Sequence, residues 1–143
     1  ADGAEENAGA GPPGMGAEAE QARNLTIAKL LVGMRRFRET TFEVEGLFGD
    51  PAWDILLEIF IAENIGKRLS VTGACIGAAA PTTGLRWLRR LETEGLVMRE
   101  HDGQDRRRIY VRLTARGASL MNRTLCQLRP FLPLGRPEAV PAE

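Results

Sequence analysis

Histidine, tyrosine and cysteine are nearly absent: the chain has one His, one Tyr and two Cys in 143 residues. Two cysteines, Cys75 and Cys126, give neither a metal-ligand spacing nor a disulfide framework. The single histidine, His101, falls in a predicted turn. No metal site, nucleophile with its base, or acid–base pair can be assembled from these pieces, so neither an enzyme nor a bound cofactor is expected. Long apolar runs are missing too. None approaches the roughly 18 residues of a membrane span, and no charged-then-apolar leader resembles a signal peptide, so no membrane association is expected and a cytoplasmic protein is the default. Lysine is scarce: Lys29 and Lys67 are the only two, and every other basic residue is arginine.

Net charge is absent as well, with 19 acidic residues against 19 basic ones. The balance conceals a division. Five of the acids (Asp2, Glu5, Glu6, Glu18 and Glu20) precede Arg23, the first basic residue. Between Arg86 and Arg123 ten arginines face five acids, Glu92, Glu94, Glu100, Asp102 and Asp105. A local basic excess is how an electrostatic footprint for nucleic acid shows in sequence. Hydrophobic content of 43% and charged content of 27% fit one ordinary globular domain with tails.

Residues 1–22 are Ala, Gly, Pro and Glu with little to bury and read as a disordered acidic tail. An acidic arm competing with DNA for the basic face is the functional alternative. The domain is expected over 23–129, with a disordered Pro-rich tail over 130–143. Asn24 can cap a helix to about Glu45, with Leu30, Leu31, Met34 and Phe37 apolar and Arg35, Arg36 and Arg38 on the other side. Asp50-Pro51 starts a second helix, PAWDILLEIFIAEN, with Trp53, Leu56, Leu57, Phe60 and Ile61 at helical spacing and Asp54, Glu58 and Glu63 outward. Trp53 and Phe60 read as core. Leu69 reads as a short strand, and Ser70 caps a short helix, VTGACIGA. Its Gly73 and Gly77 cost about 1 kcal/mol each in helix propensity but permit a close crossing with the next helix. Ala78-Ala79-Ala80 turn the chain into that next helix.

Pro81 suits the first position of a helix, and Gly95 the left-handed residue past its end. Leu85, Leu88 and Leu91 line one side; Arg86, Arg89 and Arg90 project elsewhere. The period then changes. Val97–Glu100 and Ile109–Leu113 read as two strands around the polar turn His101–Asp105, with Arg106, Arg107 and Arg108 near the tip. Thr114 caps a last helix to about Leu128, with Ala118, Met121, Leu125 and Leu128 on one face, and Pro130 and Pro133 stop it. A short helix, a tight turn, a basic helix and a hairpin make an α+β winged helix-turn-helix, mostly helical with a two- to three-stranded antiparallel wing. The helix would enter a major groove, and the wing over 97–113 would reach the backbone or minor groove.

Residues 51–128 resemble the MarR family of transcriptional regulators (multiple antibiotic resistance regulator type). The recognition-helix pattern stands as Pro81, Thr82, Thr83, Arg86, Arg89, Arg90, Leu91, Glu92, Gly95, Leu96 and Val97. The wing pattern stands as Asp102, Asp105, Arg106, Arg107, Val111, Leu113, Thr114 and Gly117. Gly84 and Leu85 depart from the usual apolar-then-polar order, so the helix is expected to sit rotated or bent against its neighbour. The C-terminal portion is shorter than the family's dimerisation element. The resemblance implies a homodimer that binds a pseudo-palindromic operator in double-stranded DNA, most often as a repressor, with a small-molecule effector.

The expected DNA-binding residues are Thr82, Thr83, Arg86, Arg89, Arg90, Arg106, Arg107 and Arg108. Arginine pairs with guanine O6 and N7, and threonine can meet a base edge, a phosphate or a thymine methyl. Each has a plainer reading. Thr82 and Thr83 can satisfy free N–H groups of the first helical turn. Arg89 and Arg90 can pair with Glu92, Glu94 or Asp54, and the wing arginines can be a solvated turn. The resemblance implies that one wing arginine enters the minor groove while Asp105 and Arg107 or Arg108 hold the hairpin in shape. Trp87 is expected to pack on the second helix. Cys75 and Cys126 read as small packed residues before they read as oxidant sensors. The rival function is a winged-helix module that binds another protein and no DNA.

Overall fold

A helix that is apolar on most of its sides forms the centre of the molecule. The computed structural model describes residues 15–44, 46–75 and 81–132. The helices are α1 (Met15–Phe42), α2 (Pro51–Asn64), α3 (Val71–Cys75), α4 (Pro81–Thr93) and α5 (Ala115–Leu128), with a 3-10 turn at Arg129–Phe131. The strands are β1 (Leu69–Ser70), β2 (Val97–His101) and β3 (Ile109–Leu113). Asp50 and Pro51 open α2 as the sequence predicts, and Ile55, Leu57, Ile59 and Phe60 are all buried within it. Helix α2 touches every other helix and the sheet. Trp53, expected in the core, is only half-buried at its edge, whereas Phe60 is fully enclosed.

The three strands form one antiparallel sheet in the order β1-β3-β2. Val97 lies opposite Leu113 and Arg99 opposite Val111. Val97, Val111 and Leu113 therefore share the inner face and close the core from below α2. Glu63 at the end of α2 accepts a hydrogen bond from the Leu113 N–H at 2.9 Å, tying the central helix to the sheet.

The first helix corrects the sequence reading most. It begins at Met15 rather than Asn24, so residues 15–22, expected in a disordered tail, form its first turns. Ala and Glu are strong helix formers, and that propensity outweighs their inability to build a core. Asn24 is no cap: it is fully buried in mid-helix, donating to Asn122 Oδ1 at 3.0 Å and accepting from Arg129 Nη2 at 3.1 Å. The apolar face is also rotated. Ile27, Ala28 and Val32 are buried, while Leu30, Met34 and Phe37 are exposed. Arg35, expected outside, is buried, with Nη1 3.0 Å from Asp54 Oδ1 and Nη2 3.9 Å from Glu58 Oε1. Asp54 is buried with it rather than facing outward.

Helix ends are built alike. After α2 the Lys67 N–H donates to the Ala62 carbonyl with Gly66 at φ +73, and after α4 the Leu96 N–H donates to the Leu91 carbonyl with Gly95 at φ +73. Helix α1 stops in the same way three residues before the expected Glu45. Glu43 takes φ 56, and the Val44 N–H donates to the Glu39 carbonyl. Ser70 caps α3, its Oγ accepting from the Gly73 N–H at 2.9 Å. The space Gly73 preserves is filled by the side chains of Leu69 and Ser70, on the chain just before it. The expected turn Ala78–Ala80, Gly77, the remainder of the acidic tail (1–14) and the C-terminal stretch from 133 lie outside the described residues.

Candidate nucleic-acid interface

Helix α4 is amphipathic, but not as Leu85, Leu88 and Leu91 suggest. Gly84, Leu88 and Leu91 are buried, and Leu85 is turned outward. This is the physical consequence of the Gly84-Leu85 order: the glycine takes the packed position. Thr82, Arg86, Arg89 and Thr93, spaced four, three and four apart, then form the exposed face. Arg90 is exposed beside them and Thr83 half-buried at the margin. Trp87, expected against α2, is 40% exposed on the flank.

Among the described residues, neither Arg86 nor Arg89 makes an ion pair. Arg90 does, with Nε 3.0 Å from Glu94 Oε1 one turn on. Both are exposed, so the pair is worth well under ~1 kcal/mol and leaves Arg90 available to a phosphate. The other acids that could have neutralised this face are engaged elsewhere: Glu92 accepts from Arg99 at 2.7 Å, and Asp54 faces Arg35.

The wing is held by its aspartates through backbone more than through charge. Asp102 Oδ1 accepts from the Gln104 N–H at 3.0 Å and Asp105 Oδ1 from the Arg107 N–H at 3.0 Å. The Asp102 N–H donates to the Arg108 carbonyl at 3.0 Å, closing the loop. The Gln104 hydrogen bond, with smaller help from Arg68 and Arg108, holds the Asp102 carboxyl below the usual range. Arg108 Nε stands 4.0 Å from Asp105 Oδ2. Of the two expected partners for Asp105, Arg108 supplies the side chain and Arg107 only its backbone N–H. Arg106 and Arg107 are exposed and, among the described residues, unpaired.

Where the wing meets the helices, α4 and α5 are locked together. Thr114 caps α5, its Oγ1 accepting from the Gly117 N–H at 2.9 Å and donating to the Gly95 carbonyl at 2.6 Å. Arg116 Nη1 also donates to the Glu94 carbonyl. The Thr-x-x-Gly element thus fixes the start of α5 against the end of α4.

Sequence reasoning missed a groove of about 500 Å³ between the start of α3 and the wing, lined by Ser70, Thr72, Arg99, Arg107, Arg108 and Tyr110. Strand alternation carried a signal for Arg99, which shares a face with Val97 and so points inward. Nothing local marked Thr72. Arg68 lies over the Tyr110 ring at 4.9 Å on the neighbouring surface.

Cys75 ends the short helix α3 beside this groove, and Cys126 lies on α5. Burial pushes the Cys75 thiol pKa up, opposed by Arg99. Burial and a hydrogen bond to Glu20 push Cys126 up, opposed by Asn24 and Arg129. Neither is activated as a thiolate. Among the described residues no three His, Cys, Asp or Glu side chains are grouped to hold a metal ion, and no helix is long and apolar enough to cross a membrane.

Residues 80–117 match a family model described as a winged helix DNA-binding domain. No curated protein matches the chain in sequence. Solved structures with a similar fold include a mutant of Staphylococcus aureus MepR, at 17% identity over 72% of this chain and 76% of that one, TM-score 0.47. The transcriptional regulator BldR from Sulfolobus solfataricus is 22% identical over 88% and 89%, TM-score 0.44. Bordetella bronchiseptica BpsR, described as a DNA-binding protein regulated by 6-hydroxynicotinic acid, is 20% identical over 85% and 78%, TM-score 0.43. The described fold is a winged helix-turn-helix, and its segment 80–117 is the part that is similar to a winged helix DNA-binding domain.

Proposed function

We propose that this protein is a sequence-specific transcriptional regulator, acting in the cytoplasm as a homodimer that represses from a pseudo-palindromic operator. The observation that carries the reading is the outward face of α4. Thr82, Arg86 and Arg89 stand on it in line, and no acid among the described residues neutralises the two arginines. Thr82, Thr83 and Arg86, near the helix start, meet base edges; Arg89 and Arg90, a turn further on, meet phosphates. Arg106 and Arg107 at the wing tip reach the minor groove or the backbone, and Arg108 keeps the turn in shape with Asp105. An interaction module that never met DNA would have no use for so many unneutralised guanidinium groups.

The dimer is supported by α1, where Leu30, Met34 and Phe37 form an exposed apolar stripe spaced four and three residues apart. Two copies joined there and along α5 set two recognition helices about one DNA turn apart, roughly 34 Å. A small-molecule effector acts by changing that separation.

Duplex binding measured across a salt series tests the reading. Several phosphate contacts predict that log affinity falls linearly with log salt, with a slope of about −0.9 per phosphate neutralised. Protection mapping upstream of the protein's own gene then gives two half-sites. Salt-independent association, or protection without dyad symmetry, would overturn the reading.

A further inference from the structure

Leu85 occupies an unusual place on α4. It is 36% exposed, while Gly84 before it and Leu88 after it are buried. Its neighbours on the helix surface are Thr82, three residues earlier, and Arg89, four later, both exposed. The other open apolar residue, Trp87, is two positions on and therefore lies toward the opposite flank. A single exposed leucine is ordinary on a protein surface. A leucine set between Thr82, assigned above to base edges, and Arg89, assigned to a phosphate, is not, because that face loses its water when DNA docks.

The chemistry of the groove narrows what can meet it. The floor of the major groove presents hydrogen-bond donors and acceptors and one prominent apolar group, the C5-methyl of thymine. Leucine offers no donor or acceptor. Against a polar base edge it would displace water and replace none of its hydrogen bonds, which is unfavourable. Against a thymine methyl, both surfaces leave water together. We infer that Leu85 is a specificity-determining residue that recognises a thymine methyl in each half-site, beside the bases met by Thr82 and Arg86. This inference rests on α4 being the recognition helix, as proposed above, and adds to it the identity of one base.

The test uses the full chain and a duplex selected by it from a randomised library. Each dT of that duplex is replaced singly by dU, which keeps base pairing and removes only the methyl. One dU position per half-site should weaken binding by about fourfold, the effect of one methyl leaving a buried contact. Leu85→Ala should bind the dT and dU duplexes equally, and Leu85→Met, which preserves volume, should retain the difference. The dU scan on the parent protein needs no variant, so a folding defect in Leu85→Ala leaves it decisive. Equal affinity of the parent for every dU duplex overturns the inference while leaving DNA binding intact. So does undiminished methyl sensitivity in folded Leu85→Ala. Failure to select any duplex overturns both the inference and the function on which it rests.

Discussion

A methyl group placed on Gly117 would lie 2.9 Å from the carbonyl carbon of Leu96 and closer still to its oxygen. The same Leu96 carbonyl accepts from the Thr114 N–H at 3.0 Å. The start of α5 and the end of α4 thus approach through backbone, with no side chain able to move aside. Gly117→Ala is expected to cost about 3 kcal/mol or more, at the upper end of overpacking penalties, measured by urea unfolding. Gly103, in the wing turn, has nothing near its missing Cβ. Gly103→Ala should change stability by less than about 0.5 kcal/mol. Equal effects at both sites would show that the close approach does not constrain the fold.

Arg35 and Asp54 present a buried charge pair between α1 and α2. Arg35 Nη1 is near Asp54 Oδ1, yet Nη1 and Nε have no aligned hydrogen-bond acceptor among the described residues. Such a pair contributes little beyond its own desolvation, but either charge left alone is costly. Arg35→Met should destabilise by about 3–5 kcal/mol, and Arg35→Met with Asp54→Leu by clearly less. Denaturant midpoints of the two single variants and the double variant decide this. Additive losses would mean that the two charges act independently.

These elements show what the sequence could and could not reveal. Gly95 announced the end of α4, because glycine adopts a left-handed φ without strain. Glu43 ends α1 with the same hydrogen bonds at φ 56, a conformation its side chain disfavours, so nothing in the sequence marked it. The wing and α5 were legible because Asp102, Asp105, Thr114 and Gly117 each perform a backbone task that few residue types can. The orientation of α1 was not. Leu30, Met34 and Phe37 form a helical stripe as regular as Ile27, Ala28 and Val32, and periodicity alone does not say which stripe faces α2. Arg35 looked like a surface residue because its partner Asp54 lies on another helix. The same ambiguity hid the exposure of Leu85 and Trp87.

Both cysteine thiols are held above their ordinary pKa, chiefly by burial. Their thiolate fraction at neutral pH is therefore below that of a free thiol, and alkylation by iodoacetamide should be slow, with Cys126 reacting before the buried Cys75. The linkage follows the same sign. An unfolded thiol ionises at lower pH than either folded one, so stability is complete below the unfolded pKa and declines as pH rises through the folded values. Stability measured from pH 7 to 10 should fall, and Cys75→Ala should flatten part of that fall. Rapid alkylation at pH 7 would reverse the assignment and make a thiol sensor credible.

The arginines proposed to contact DNA separate by kind of effect. Arg86→Ala should cost about 1–3 kcal/mol on the selected duplex and relax preference at one base pair. Arg107→Ala should weaken binding to all duplexes alike and make the salt slope shallower by about 0.9. Titrations at two salt concentrations, on the selected duplex and a scrambled one, distinguish them. Neither change should alter folding, since both side chains are exposed. Parental affinity in both variants would remove these residues from the interface.

The stripe on α1 allows association to be separated from folding. Phe37 is 75% exposed and Met34 43%, so neither supports the described fold to any large extent. In a two-fold dimer each substitution acts twice. Removing a fully buried phenylalanine contact of about 1.5–3 kcal/mol from both sides corresponds to a weakening of at least a hundredfold in dimer affinity. Phe37→Glu should therefore sediment as a monomer at micromolar concentration, with its unfolding midpoint at matched monomer state unchanged. It should also bind a single half-site as the parent does while losing the advantage of the full operator. A Phe37→Glu protein that remains dimeric would place the interface elsewhere, with α5 and the segment that follows it as the next surface to test.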